Sequence, residues 1–232
     1  MACGASGRFD PGKYLHQGSD SRRLSIMGAS LLLLLGCAAA PICPTDRPIS
    51  EQEETDLLLR LSKEELARCL VAREPERFVK GPAKPYRGKV VDAETEAPIV
   101  GAVVIAVWDR EFTGAGGRLS EFYDAQEVLT DQAGEFVLNA SDIEAAAPYN
   151  TRWPVFRIYK PGYGFYPRYH VSPTTNLDKA FRQEATVVRL RKARTVEERM
   201  RNLSVETHAP LEKQPLLRKA ISVERVGLGL SP

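Results

Sequence analysis

The chain has 232 residues, with 32 Lys and Arg against 30 Asp and Glu, and a formal net charge of +2. Hydrophobic residues make up 43% of the chain and charged residues 27%. This balance excludes a wholly disordered chain, a collagen-like repeat and a polytopic membrane protein, and it predicts one globular body with extensions.

The N-terminal region carries the pattern of an export signal. Arg22 and Arg23 precede an apolar run, residues 26–40, that is too short for a membrane-spanning helix, which needs about 20 apolar residues. A basic start, a short apolar run and small residues after it are typical of a secretory signal peptide. A buried helix is the alternative, but the run lacks amphipathic spacing and is followed at once by Pro41 and Pro44.

The end of this run, Leu34-Leu35-Gly36-Cys37, resembles the lipobox of bacterial lipoproteins. The resemblance implies that residues 1–36 form a lipoprotein signal peptide that is removed, and that Cys37 carries the lipid that anchors the protein to the membrane. In that family an Asp after the cysteine keeps the protein at the inner membrane. Ala38 therefore implies the outer membrane of the bacterial envelope.

Loss of the signal changes the charge balance. Residues 1–36 hold four basic and two acidic residues, so their removal from 32 and 30 leaves 28 of each and a net charge of zero. A neutral chain argues against a nucleic-acid partner.

Two cysteines, Cys43 and Cys69, remain after the lipid-bearing one. An exported compartment permits a disulfide between them. Two free thiols are the alternative, and the spacing alone does not decide between the two states.

The first part of the mature chain predicts a tether and a helical segment. Residues 37–49 contain Pro41, Pro44 and Pro48 and predict the tether. Residues 50–84 predict one kinked helix or two short helices, with capping-box spacing at Ser50–Glu53 and Ser62–Glu65. The apolar stripe of this segment either packs on the body or binds a partner.

Residues 85–192 change to a strand-like pattern. Turn signals separate about seven short apolar segments, which predicts an antiparallel β-sandwich. Residues 102–108 are apolar on both faces and predict a central strand with Trp108 and Phe156 in the core. Long connections are expected at 109–125, with a glycine loop, and at 141–152. Residues 193–232 predict a basic helical tail, opened by Thr195 and Glu198. A basic cluster at its start, Arg189, Arg191, Lys192 and Arg194, either contacts anionic lipid headgroups or lies on a solvated strand edge.

Four ordered pieces of this region resemble the carboxypeptidase regulatory-like domain. They are a G-x-V-x-D strand at 88–92, a P-x-x-G-A-x-V strand at 98–104, a T-D-x-x-G-x-F hairpin at 130–136 and a K-P-G-Y turn at 160–163. The resemblance implies a mainly β fold: a seven-stranded prealbumin-like (transthyretin-like) sandwich with short flanking helices before and after it. That family supplies structural support or ligand contact and brings no catalytic residues.

The aromatic residues near the K-P-G-Y turn are the candidate contact site. Trp153, Tyr163, Phe165 and Tyr166 lie at a predicted end of the sandwich, where aromatic faces stack on sugars or grip a protein partner. Packing of the sandwich end is the alternative.

Catalytic and metal-binding patterns are missing from the sequence. No H-x-H, HExxH, CxxC, P-loop or G-x-S-x-G motif occurs, so we expect no catalytic residue, metal or cofactor. One enzyme alternative rests on fold analogy with intradiol dioxygenases, whose iron is held by two Tyr and two His. Tyr166, Tyr169, His170 and the distant His208 are the only candidates for such a site.

The sequence therefore favours a non-enzymatic, lipid-anchored envelope protein that acts as a structural or protein-interaction module. Its expected partners are the membrane, through the lipid, and an envelope protein or cell-wall glycan. A carbohydrate-binding module and a degenerate dioxygenase-like metalloenzyme are the alternatives.

Overall fold

A computed structural model of the chain describes most of the sequence after residue 58. The described residues are 43, 52, 56, 59–81, 84–114, 117–167, 181, 186–205 and 207–232. The predicted signal peptide, Cys37 and the Ser50–Glu53 capping pair lie outside them. Residues 40–232 belong to one compact unit.

The helical segment before the strands contains helix α1, Lys63–Arg73, followed by a 3-10 turn at Pro75–Arg77. The predicted capping box at Ser62 and Glu65 is confirmed, since each side chain accepts a hydrogen bond from the other residue's backbone N–H. Such a box satisfies N–H groups that otherwise lack partners at the start of a helix. The apolar face of α1 is buried, with Leu66, Cys69 and Leu70 each less than a tenth exposed.

The described part of the chain is mainly β, with two three-stranded sheets and a few short helices. The strands are β1 (Tyr86–Asp92), β2 (Val103–Gly114), β3 (Gly117–Leu129), β4 (Glu135–Leu138), β5 (Val155–Tyr159) and β6 (Thr186–Leu190). One sheet has the order β4-β1-β6 and the other β3-β2-β5. The β1–β6 pair is parallel and the other pairs are antiparallel, so the expectation of purely antiparallel pairing was wrong.

The predicted long connection at 109–125 is largely strand. β2 and β3 pair along their whole lengths, from Val103 with Leu129 to Gly114 with Gly117. The register shifts between Trp108 and Asp109, which marks a β-bulge. Gly114 and Gly117, two of the glycines expected to form a loop, therefore lie at the tip of one long hairpin. The other expected connection contains the short helix α2, Ser141–Ala145.

The main hydrophobic core receives side chains from both sheets. Trp108 and Phe156, the two core residues expected from the sequence, are 0% and 5% exposed. A buried carboxylate, Glu144 of α2, reaches into this core and accepts hydrogen bonds from Tyr86 Oη and, at 3.3 Å, from Trp108 Nε1. Both donors reach Oε1, so this buried oxygen has the hydrogen-bond partners that a polar atom in an apolar core requires.

A second core lies on the opposite face of sheet β3-β2-β5. The C-terminal region forms helix α3 (Val196–Asn202), a 3-10 turn at Leu211–Lys213 and helix α4 (Pro215–Gly227). Side chains from this region, among them Val205 and Leu217, pack on Val103, Ile105 and Val107 of β2. The tail therefore covers the outer face of the first half of β2, and this is why residues 103–108 are apolar on both faces.

An arginine network attaches the N-terminal segment to the long hairpin. Glu111 of β2 is buried and pairs with Arg77 at 3.2 Å, Arg118 at 3.4 Å and Arg152 at 3.1 Å. Three cations around one carboxylate offset its desolvation. Among the described residues, no helix has the length and apolar character needed to cross a membrane.

Candidate functional site

Two of the four predicted aromatic contacts are buried, which corrects the expectation of an exposed platform. Phe165 is 6% exposed and Tyr166 is 2% exposed. Successive residues of an extended chain point to opposite faces, and both faces of this sheet are covered. Phe165 therefore enters the second core while Tyr166 enters the main core, where its ring lies 6.0 Å from that of Phe181.

The other two predicted aromatics are half-buried at separate places. Trp153 Nε1 donates a hydrogen bond to the carbonyl of Glu76 at 2.9 Å, beside the N-terminal segment. Tyr163 Oη donates to Asp92 Oδ2 at 3.1 Å. The four aromatics thus hold the fold together and do not form a joint stacking surface.

The Asp92–Tyr163 contact joins two of the motif pieces noted in the sequence. Asp92 ends the G-x-V-x-D strand and Tyr163 ends the K-P-G-Y turn. Asp92 Oδ1 accepts hydrogen bonds from the backbone N–H groups of Glu94 and Thr95, and Lys192 Nζ lies 3.4 Å from Oδ2. Burial raises the pKa of Asp92, but these hydrogen bonds and that of Tyr163 outweigh it and lower the pKa to about 2. Asp92 is therefore ionised at neutral pH.

Next to this carboxylate a cleft of about 230 Å³ opens at the end of β6. We call it the α3 cleft, and it is lined by Gly164, Arg191, Lys192, Ala193, Glu198, Arg201 and Asn202. Gly164 and Asn202 are buried and form its floor, whereas Arg191, Lys192 and Arg201 are exposed and form its rim. The cleft combines a polar floor with a cationic rim.

Three segments position the walls of the α3 cleft. After β6 the chain runs beside the K-P-G-Y turn, with Gly164 N–H donating to Arg191 O at 2.7 Å and Ala193 N–H to Gly162 O at 2.9 Å. Helix α3 then begins, with Thr195 Oγ1 accepting from Glu198 N–H at 3.1 Å, as its capping pattern predicts.

The last residue of α3, Asn202, returns to the turn. Its Nδ2 donates to Tyr163 O at 2.9 Å. Its Oδ1 is buried and has no hydrogen-bond partner among the described residues. Buried polar atoms are nearly always paired, so this oxygen is one of the few exceptions among the described residues.

The cations of the predicted basic cluster have separate partners. Arg189 pairs with Glu96 and Arg194 with Glu94, each at 2.7 Å and outside the cleft lining. Arg191 lies 3.7 Å from Glu198, a charge contact longer than a hydrogen bond. Arg201 forms no salt bridge within the described part of the chain, but its charge helps to lower the pKa of Glu197 and of Glu198, after the hydrogen bonds that these carboxylates accept. The sequence pointed to Arg191 and Lys192, but it gave no sign of Glu198, Arg201 or Asn202 as cleft residues.

The dioxygenase alternative gains no support from the described residues. Tyr166 is in the main core, whereas His208 pairs with Asp109 and lies edge-on to Phe122, 6.4 Å between ring centroids. Tyr169 and His170 lie outside the described residues. No group of three or more His, Cys, Asp or Glu that could hold a metal occurs in the described ranges.

The two cysteines that follow Cys37 in the sequence form a disulfide. Cys43 and Cys69 are joined, with their Cα atoms 5.3 Å apart. This pairing, which the sequence left open, attaches Cys43 to helix α1. Comparison of the chain with models of known protein families, with curated proteins and with solved structures found no match.

Proposed function

We propose that this protein is a non-enzymatic, lipid-anchored envelope protein that acts as a structural or interaction module. The observation that carries the proposal is the apolar run that ends in Leu34-Leu35-Gly36-Cys37, behind Arg22 and Arg23. The lipid on Cys37 anchors the mature chain to the membrane, and several acyl chains on one residue anchor it durably. Ala38 after the cysteine favours the outer membrane.

The disulfide supports export and gives the tether a definite length. Disulfides persist in oxidising compartments and are rare in the cytosol. Cys43 lies six residues after Cys37 and is bonded to Cys69 of α1. Six extended residues reach at most about 20 Å. The lipid therefore holds the body close to the bilayer, with α1 as the attached element.

The finer fold proposed is the seven-stranded prealbumin-like sandwich. Two three-stranded sheets that share a core support it. We assign the seventh strand to a position beside β5. Two backbone hydrogen bonds support this assignment: Tyr166 N–H donates to Ile158 O at 2.9 Å, and Ile158 N–H donates to Tyr166 O at 3.3 Å. Slow hydrogen exchange of the Ile158 and Tyr166 amides in solution, together with contacts between β5 and the residues after Tyr166, would support this strand. Fast exchange of the Tyr166 amide would refute it.

The anchor is tested by metabolic labelling with a fatty-acid analogue in the host bacterium. The Cys37→Ser protein should lose the label and leave the membrane fraction. The matched control is Cys3→Ser, which changes a cysteine within the segment to be cleaved and should keep both label and membrane association. Labelling that persists in Cys37→Ser would refute the anchor.

A further inference from the structure

We propose that the α3 cleft binds a small organic monocarboxylate that carries a hydroxyl or amide N–H beside its carboxylate. This inference goes beyond the lipid anchor and does not depend on it. It rests on the cations of the rim, the charge balance of the site, the carboxylate acceptor in its lining and its volume.

The rim offers unused donors for a carboxylate. Arg201 is exposed and forms no salt bridge among the described residues, while Glu197 and Glu198, one turn before it on α3, interact with it electrostatically at longer range. Arg191 faces Glu198 only at 3.7 Å, so its N–H groups are not committed to that residue by a hydrogen bond. A guanidinium presents a planar set of N–H donors that matches the two oxygens of a carboxylate. The carboxylate of the ligand therefore lies between Arg191 and Arg201.

The charge balance of the site favours a single negative charge. Three cations, Arg191, Lys192 and Arg201, line the cleft with one carboxylate, Glu198. Lys192 is also shared with Asp92, at 3.4 Å. The lining alone has an excess of two positive charges, and Asp92 beside Lys192 and Glu197 beside Arg201 reduce it, so the site can balance one negative charge but not two. A phosphate dianion would leave an excess negative charge close to Glu198, and like charges at such short range repel.

The lining of the cleft calls for a hydrogen-bond donor on the ligand. The carboxylate of Glu198 is an acceptor in this lining and is only partly buried. An anion without a hydroxyl or N–H cannot donate to this carboxylate, so its approach to Glu198 is unfavourable.

The volume limits the ligand to one small unit. About 230 Å³ corresponds to the volume of roughly eight water molecules in the liquid. That space admits a single amino-acid or sugar residue, free or at the end of a longer molecule. Two sources share this chemistry: a peptide C-terminus, with its amide N–H, and a sugar acid, with its hydroxyls.

The test uses the full chain in detergent solution and saturation-transfer NMR on four probes, with dissociation constants from titration. The probes are N-acetyl-alanyl-alanine, glucuronate, acetate and inorganic phosphate. We expect one of the first two to bind at least about 10-fold more tightly than acetate and phosphate, and the tighter of the two identifies the source. Binding of all four at equal strength, or tightest binding of phosphate, would overturn the proposal.

Two exposed arginines provide the variant and its control. Arg201→Ala removes the cation of the rim that forms no salt bridge among the described residues, and it should weaken binding about 10-fold or more, which is the usual size of a lost charge-assisted hydrogen bond. Arg218→Ala removes an equally exposed arginine from α4, outside the cleft lining, and should leave binding unchanged. Equal affinities in Arg201→Ala and the unchanged protein would refute the site. Binding in detergent solution does not require the lipid anchor. The labelling experiment therefore tests only the anchor, and the binding experiment tests only the cleft.

Discussion

Truncation of Leu217 tests whether the C-terminal region is part of the folded core. Leu217 of α4 is 1% exposed and packs in the cluster that covers Val103, Ile105 and Val107. Replacing a buried Leu by Ala removes its apolar contacts and leaves a cavity, at a cost of about 2–5 kcal/mol. Half-buried neighbours such as Leu216 and Ile221 can move partly into the gap. We therefore expect Leu217→Ala to lower the free energy of unfolding by about 3 kcal/mol.

The matched control is Leu211→Ala, the same change on the same tail. Leu211 is 59% exposed, so its truncation should change the free energy of unfolding by no more than about 0.5 kcal/mol. Urea unfolding followed by tryptophan fluorescence measures both variants, since Trp108 is fully buried in the folded protein. At about 2–4 °C per kcal/mol for a body of this size, Leu217→Ala should also lower Tm by roughly 6–12 °C. Equal stabilities of the two variants would refute the docking of the tail on β2.

Two further predictions concern the turn at Gly134 and the carboxylate of Asp92. Gly134 and Gly162 both have positive φ, 72° and 81°, but an added Cβ would lie 2.5 Å from Val90 O only at Gly134. Gly134→Ala should therefore cost about 1–3 kcal/mol more than Gly162→Ala in urea unfolding, and equal losses would contradict the clash. The pKa of Asp92 is lowered to about 2, so the stability it contributes, about 2 kcal/mol at most, is complete above about pH 4 and lost as the pH falls towards 2. Asp92→Asn should flatten the stability–pH curve in that window, and an unchanged curve would show that the hydrogen bonds of Asp92 do not form.

Local pattern was enough to predict several elements of the body. The capping pairs Ser62–Glu65 and Thr195–Glu198 preceded helices α1 and α3, because a cap depends on residues three positions apart. The continuous apolar run of β2 identified a central strand with Trp108 inside, because a strand covered on both faces has no polar side. The mainly β character of residues 85–192 followed from alternation and turn residues.

The tertiary structure decided what covers each face and which distant residues meet. Alternation shows that Phe165 and Tyr166 point to opposite sides, but only the docked tail shows that both sides are buried. The candidate cleft depends on such contacts as well, since Tyr163 of the K-P-G-Y turn meets Asn202 of α3 in space. The position of Arg201 on the rim has no local signature, because lining a cleft depends on neighbours in the fold rather than in the chain. Sequence determines periodicity and capping through short-range geometry, whereas burial and charge pairing arise from long-range packing.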